Sequence, residues 1–303
     1  MYALLVLCML VVAATAQSTT VPTSNIIDFL TAGRQTTLLN LIQQAGLTDT
    51  LKGPGPFTLF VPDERSIRNL DATDTAKLTT FLKYHVVNGQ YRLADLYNEE
   101  SLTSLEPNQM IRVNYYNDAG EFTLEGKALQ SSDHVLSNGI VHFISGMMIP
   151  PAGTVLDVVL KDGNLTTLAS TIKSAMLENF FQDQKPITLF APTDEAFNKL
   201  GSATVQGLIA DPALLKSVLQ YHVVPGTIYR AEYHSAYLHT FEEADRIRLH
   251  RFLFFGYEAD DGGMVDDEVS ATNGVVQKID AVLIPSSLSD QVKALTAGAT
   301  TAA

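Results

Sequence analysis

Apolar positions along the chain fall into two rhythms, helical and then alternating, and the pair of rhythms comes twice. Leu38, Leu39, Leu41, Ile42 and Ala45 hold the i, i+3, i+4 spacing of one helical face, and Leu165, Leu168, Ile172, Ala175 and Leu177 repeat it. A short β-type run follows each helix, Thr58 to Val61 and Thr188 to Ala191, and stops at Pro62 and Pro192. Asp63 or Thr193 then stands where a side-chain oxygen accepts from the first N–H groups of a helix. That predicts a helix over Asp194 to Leu200 with Phe197 and Leu200 as its buried face. Second helices are predicted over Ala76 to Leu82 and Pro212 to Leu219, where Pro212 suits a first helical position. From Ile111 to Tyr115 and from Arg246 to Leu249 the period drops to two, the second run continuing into Leu253, Phe254 and Phe255. Asn138-Gly139 and Asn273-Gly274 signal hairpins leading into final strands, Ile140 to Ile149 and Val275 to Ile284. Helices first and antiparallel strands after predict an α+β domain, made twice.

The repetition is literal in places. Thr58-Leu59-Phe60-Val61-Pro62 returns as Thr188-Leu189-Phe190-Ala191-Pro192, an offset of 130 (188 − 58). Tyr84-His85-Val86-Val87 returns as Tyr221-His222-Val223-Val224 at 137 (221 − 84), so the second copy gains seven residues, placed near the Ala210-Asp211-Pro212 turn. Asn138-Gly139-Ile140-Val141 returns as Asn273-Gly274-Val275-Val276 at 135 (273 − 138). With Thr36-Thr37-Leu38 returning as Thr166-Thr167-Leu168 at the same offset of 130 (167 − 37), four blocks in one order describe a duplicated domain of ordinary size. The expected boundaries are residues 22–150 and 151–286, with a short Pro- and Gly-rich junction restricting interdomain freedom, and a flexible C-terminal tail over 287–303.

The ends of the chain alter the picture. Leu4 to Ala14 is apolar but too short to span a bilayer, and Ala14-Thr15-Ala16 is a cleavage pattern, so residues 1–16 are expected to be a signal peptide and the mature protein secreted. Cys8, the one cysteine, leaves with that segment, which excludes disulfides, thiolate metal sites and a cysteine nucleophile. No later run is expected to cross a membrane. A net charge of −13 opposes nucleic acid, heparin-like polymers and anionic lipid, and suits cations and basic partners.

With these blocks on the page, the chain resembles the fasciclin (FAS1) family. Thr188 to Phe197 reads TLFAPTDEAF against the family pattern T-x-F-A-P-T-D-x-A-F, the central Tyr-His pair is present twice, and Asn273 to Pro285 reads NGVVQKIDAVLIP against N-G-V-x-x-I-D-x-V-L-x-P. Copy one departs from the pattern with Asp63-Glu64-Arg65-Ser66-Ile67. The resemblance implies two tandem wedges of β-strands flanked by helices. It also implies extracellular matrix or cell-surface adhesion through a receptor, a matrix protein or self-association, with no cofactor.

Tyr84, His85, Tyr221 and His222 are the candidate adhesion residues that the resemblance implies, and the flanking Val-Val pairs favour a competing role as hydrogen-bonded core residues. The family's Asp-Ile adhesion pair is replaced by Asp133-His134 and Glu268-Val269, and there is no Arg-Gly-Asp. Asn164-Leu165-Thr166 is a glycosylation sequon after a turn; the alternative reads Asn164 as a helix cap. Asp260, Asp261, Asp266, Asp267 and Glu268 form an acidic loop that suggests calcium or mineral binding as a second function, though the spacing fails the EF-hand pattern. The histidines are scattered, and His142 corresponds to Gln277, so a repeated metal site there is not expected. Hydrolase, zinc-protease and nucleotide-binding motifs are absent, so the chain is not expected to be an enzyme.

Overall fold

The computed structural model describes residues 22–68, 70–116, 120–183, 186–230, 235–242, 244–252 and 256–300. The expected signal peptide, Cys8, His234 and residues 253–255 lie outside the described residues. Domain 1 runs through α1 (Ile26–Ala32), α2 (Thr36–Gln44), α3 (Thr48–Lys52), β1 (Phe57–Pro62), α4 (Glu64–Arg68), α5 (Thr75–Tyr84), β2 (Val86–Asn88), β3 (Ser101–Thr103), β4 (Met110–Tyr116), β5 (Glu121–Leu124), β6 (Lys127–Leu136) and β7 (Gly139–Ile144). Domain 2 runs through α6 (Val155–Lys161), α7 (Thr166–Ser174), α8 (Glu178–Asp183), β8 (Ile187–Pro192), α9 (Asp194–Leu200), α10 (Ser202–Ala210), α11 (Pro212–Tyr221), β9 (Val223–Pro225), β10 (Ala236–His239), β11 (Arg246–Phe252), β12 (Gly256–Ala259), β13 (Gly262–Gly263), β14 (Val269–Ala271), β15 (Gly274–Ile279) and α12 (Ser289–Thr300).

The α+β expectation and the tandem arrangement hold. β1 is buried on both faces, which is why Thr58 to Val61 reads as an unbroken run. Leu59 and Val61 pack with Leu38, Ile42, Leu51 and Leu78 under the helices, whereas Phe60 packs with Tyr84, Ile111, Val113 and Ile144 inside the strand wedge. Leu189 and Phe190 divide the same way in domain 2. Each fully buried side chain of this kind contributes about 1.5–3 kcal/mol. The helix caps fall as predicted: Asp63 accepts from the Ser66 N–H and Thr193 from the Ala196 N–H.

Three expectations need correction. The central strands are parallel, β1 with β7 and β8 with β15, each pair joined by a long crossover that carries helices and the other strands of the domain. The extra residues of copy two do not enlarge a turn but build α10, which with α12 forms a helical pair: Gly207 lies directly against Leu295. Residues 289–300 are therefore helical, with Val292 buried, and are not the flexible tail expected for 287–303.

Domain 1 forms one sheet in the order β2-β1-β7-β6-β5-β4-β3. In domain 2 the counterpart of β6 is interrupted between β13 and β14, so the sheet divides into β10-β11-β12-β13 and β14-β15-β8-β9. The interruption is the acidic segment from Met264 to Glu268, where adjacent carboxylates oppose continuous pairing.

Candidate interaction site

Each Tyr-His pair ends a helix and starts an edge strand. The His85 Nδ1–H donates to the Phe81 carbonyl at 2.7 Å, and Nε2 accepts the Met148 N–H at 3.0 Å. His222 repeats this with the Val218 carbonyl at 2.7 Å and the Leu283 N–H at 2.9 Å. A carbonyl only accepts and an N–H only donates, so both rings are held as the neutral Nδ1–H tautomer. Burial pushes both imidazoles down to about 4, against the bond to the helix carbonyl. The Tyr84 hydroxyl donates to the Met110 carbonyl, and the Tyr221 hydroxyl to the Arg246 carbonyl and the Asp260 carboxylate. Burial raises both phenols. Exposures of 0%, 3%, 3% and 1% for Tyr84, His85, Tyr221 and His222 leave no surface for a partner, so a direct adhesive contact does not fit their placement. The four residues tie a helix to a strand and to the chain after the last strand.

His142 and Gln277 do the same work with different groups. His142 Nε2 donates to the Tyr91 carbonyl and the Gln277 amide to the equivalent Ile228 carbonyl, at 2.9 and 3.0 Å. Both side chains thus serve a hydrogen-bonding role at the same place in the two domains. Asn138 and Asn273, in the hairpin turns, are also buried hubs: each accepts from the first N–H of a helix, Ile26 or Val155, and donates to carbonyls at the end of another.

The larger polar assembly lies between the domains. Glu99 Oε1 accepts the backbone N–H and hydroxyl of Thr227 at 2.7 and 2.9 Å, and its other oxygen pairs with Arg112 at 3.2 Å. Arg112 reaches on to the Thr272 carbonyl at 3.2 Å, and the Asn114 amide donates to the Thr227 hydroxyl at 2.7 Å. Tyr229 is fully buried, its hydroxyl donating to Glu125 at 2.9 Å and lying 3.1 Å from the Ser270 hydroxyl. Burial and the Glu125 carboxylate raise its phenol well above the usual range. The Tyr229 ring packs against Gly126, where an added Cβ would stand 2.5 Å from Cδ1. Glu125 and Gly126 both have positive φ, 48° and 73°, so the turn that places the carboxylate also bares the backbone for the ring. Arg112 and Asn114 hold the polar positions of the alternating run from Ile111 to Tyr115, and the other seam residues carry no periodic or motif signal. The one local clue was the Glu125-Gly126 turn between two strands, and the pairing across more than 100 residues is invisible in a single sequence.

Comparison with known families gives the deciding observation. The Fasciclin domain model matches residues 33–150 and again 163–285. The chain belongs to the fasciclin domain family. Transforming growth factor-beta-induced protein ig-h3 of Sus scrofa is 27% identical over 282 residues, covering 88% of this chain and 40% of that protein. Periostin of Homo sapiens is 25% identical over 267 residues, 84% of this chain and 30% of that protein. The chain thus spans less than half the length of these relatives. Among solved structures, a FAS1 domain pair from the insect cell adhesion molecule Fasciclin I aligns with 85% of this chain and 99% of that one, at 18% identity and a TM-score of 0.41.

The other sequence candidates find defined places in the two fasciclin domains. The acidic loop is largely spent internally: Asp266 pairs with Lys278 at 2.6 Å, Asp267 and Glu268 flank Arg230, and Asp260 holds the Tyr221 hydroxyl and the Arg248 N–H. Among the described residues no group of three or more His, Cys, Asp or Glu is placed to hold a metal ion. No described helix is long and apolar enough to cross a membrane. Asn164 is exposed, and it is not the cap of α7; Asp194 caps that helix, bonding the Thr166 and Thr167 N–H groups. Asp133, in the place of the family's Asp-Ile pair, accepts the Leu93 N–H.

Proposed function

We propose that this is a secreted extracellular adhesion or matrix-associated module that acts through protein–protein contact, as the fasciclin family implies. The observation that carries the reading is the seam: domain 1 recognises domain 2 through Glu99, Arg112, Asn114 and Glu125, so face-to-edge protein recognition is something this fold already performs within the chain. Partners are read as a cell-surface receptor, a matrix protein or another fasciclin domain. The test is adhesion of animal cells and matrix proteins to immobilised residues 17–303, with and without EDTA. Retention supports the reading, and EDTA sensitivity assigns a cation-dependent receptor. Retention of neither cells nor matrix overturns it. Asn164 is proposed as a glycan site on the strength of its exposure; a mass loss on glycosidase treatment of protein secreted from eukaryotic cells checks it.

A further inference from the structure

The face of domain 1 that grips domain 2 has a counterpart in domain 2, and that counterpart is bare. Hydrogen bonds fix the equivalence. The Arg112 N–H donates to Glu125 at 2.7 Å and the Arg248 N–H to Asp260 at 2.8 Å, with Glu125 and Asp260 sharing the same left-handed φ, 48° and 49°. Strand register then matches Arg112 opposite Ser101 with Arg248 opposite Tyr237. Arg112 is covered by domain 2, its side chain 11% exposed and paired with Glu99. Arg246 and Arg248 are exposed, Tyr237 is 67% exposed, and neither arginine has an ion-pair partner among the described residues.

The gripped edge also has a counterpart. The Ile228 N–H donates to Thr188 Oγ1 and the Tyr91 N–H to Thr58 Oγ1, so Thr227 and Tyr229 correspond to Gln90 and Arg92 in domain 1. Gln90 and Arg92 are exposed. The chemistry changes on both sides together. In the closed seam Tyr229 lies on Gly126 beside the Glu125 carboxylate. At the open positions Arg92 replaces the tyrosine, exposed Asp261 replaces the glycine, and Asp260 replaces the glutamate. With Asp260 held by the Tyr221 hydroxyl and the Arg248 N–H, an apolar ring-on-glycine contact becomes a cation meeting the exposed Asp261 carboxylate, complementary halves of one contact.

We infer that the open β10–β11 face of domain 2 docks on the Gln90–Arg92 turn of domain 1 in a second copy of this chain. The inference rests on reading the protein as a protein-binding module and names one partner for it. The contact is heterologous, each chain offering one face and one edge, so it builds open head-to-tail assemblies. With a net charge of −13 on each copy, the local pair acts against overall repulsion, giving weak, reversible association. Charge pairs at a rim are screened by salt, so raising salt weakens this contact at the pair itself.

The experiment is sedimentation velocity of residues 17–303 over roughly a hundredfold range of concentration, with Arg92→Glu, Asp261→Arg and the double variant. Both single changes are at exposed positions, and circular dichroism checks folding. The wild type is expected to grow in weight-average size with concentration, each single variant to stay monomeric, and the double variant to associate again. An equimolar mixture of the two single variants is expected to associate again, because the introduced glutamate meets the introduced arginine at one contact and the native Arg92 meets the native Asp261 at the next. A wild type that stays monomeric throughout overturns the inference, as does association that neither single change affects. If that monomer still retains cells or matrix proteins, the docking fails alone; if it retains neither, the adhesive reading fails with it.

Discussion

The buried hubs of the two domains and their outward strand faces respond to duplication in opposite ways. His85 and His222 keep the same two bonds to within about 0.1 Å, and Asn138 and Asn273 each accept one helix N–H and donate to two carbonyls. On the strand faces Asn114 becomes His250, Ser101 becomes Tyr237, and a covered Arg112 becomes an exposed Arg248. What stays fixed closes buried backbone groups that nothing else can reach. What varies decides what each copy touches. The Tyr-His blocks therefore report the fold, and the face around Arg112 reports the contact between the domains.

The largest effect expected from breaking this comparison is at the hubs. His222→Ala leaves the Val218 carbonyl and the Leu283 N–H buried without partners and opens a cavity, a loss of about 3–5 kcal/mol. His85→Ala should behave alike in domain 1, through Phe81 and Met148. Urea unfolding of each variant measures this. An unchanged midpoint with lost adhesion would instead make these histidines contact residues.

Acid probes the same hubs without mutation. Unfolded imidazoles take up protons below about pH 6.5, whereas the folded rings stay neutral down to about 4. Each ring therefore contributes stability that is complete above the unfolded value and is lost as the pH falls from about 6.5 towards 4, at most about 3 kcal/mol apiece. Melting temperature should fall steadily across that window, and less steeply in a His85→Gln, His222→Gln double variant that folds.

A smaller loss is expected at the seam. Tyr229→Phe strips the Glu125 Oε2 of its hydroxyl partner in a buried place, about 1–3 kcal/mol. Gly126→Ala forces a Cβ into the ring at a position of positive φ. Neither touches a domain core, so calorimetry should resolve the melting of the two domains into separate transitions where the wild type gives one. A single unaltered transition would mean that the linker, and not the seam, couples them.

Much of this architecture was legible because it is local. Periodicity located α2, β4 and α9, the capping residues Asp63 and Thr193 were found from side-chain chemistry alone, and the repeats placed both domains. The misses come from tertiary context. In sequence α10 reads as a turn because its helix forms against α12, and α12 reads as a loose tail because its apolar stripe, Val292 and Leu295, is thin without that partner. The parallel pairing of β1 with β7 spans about 80 residues, beyond any pattern in a short window. The seam was missed for the same reason: Glu99 and Tyr229 gain meaning only when the domains meet.

The smallest effect should come from exchanging the one hub where the copies differ. In His142→Gln the amide N–H takes over the bond to the Tyr91 carbonyl, as Gln277 does to Ile228, and its oxygen can accept the Asp133 N–H that the ring accepts now. Both side chains bridge the same gap, so stability at neutral pH should change by less than about 1 kcal/mol. Acid should separate the two proteins. Burial lowers the His142 imidazole, so its contribution is present at neutral pH and fades as the solution acidifies below the unfolded histidine value. Glutamine does not titrate, and the variant should hold its melting temperature better than the wild type on acidification. A loss of several kcal/mol at neutral pH would show that the ring does something in domain 1 that the glutamine of domain 2 does not, and its stacking on Phe60, centroids 5.6 Å apart, would be the contact to examine.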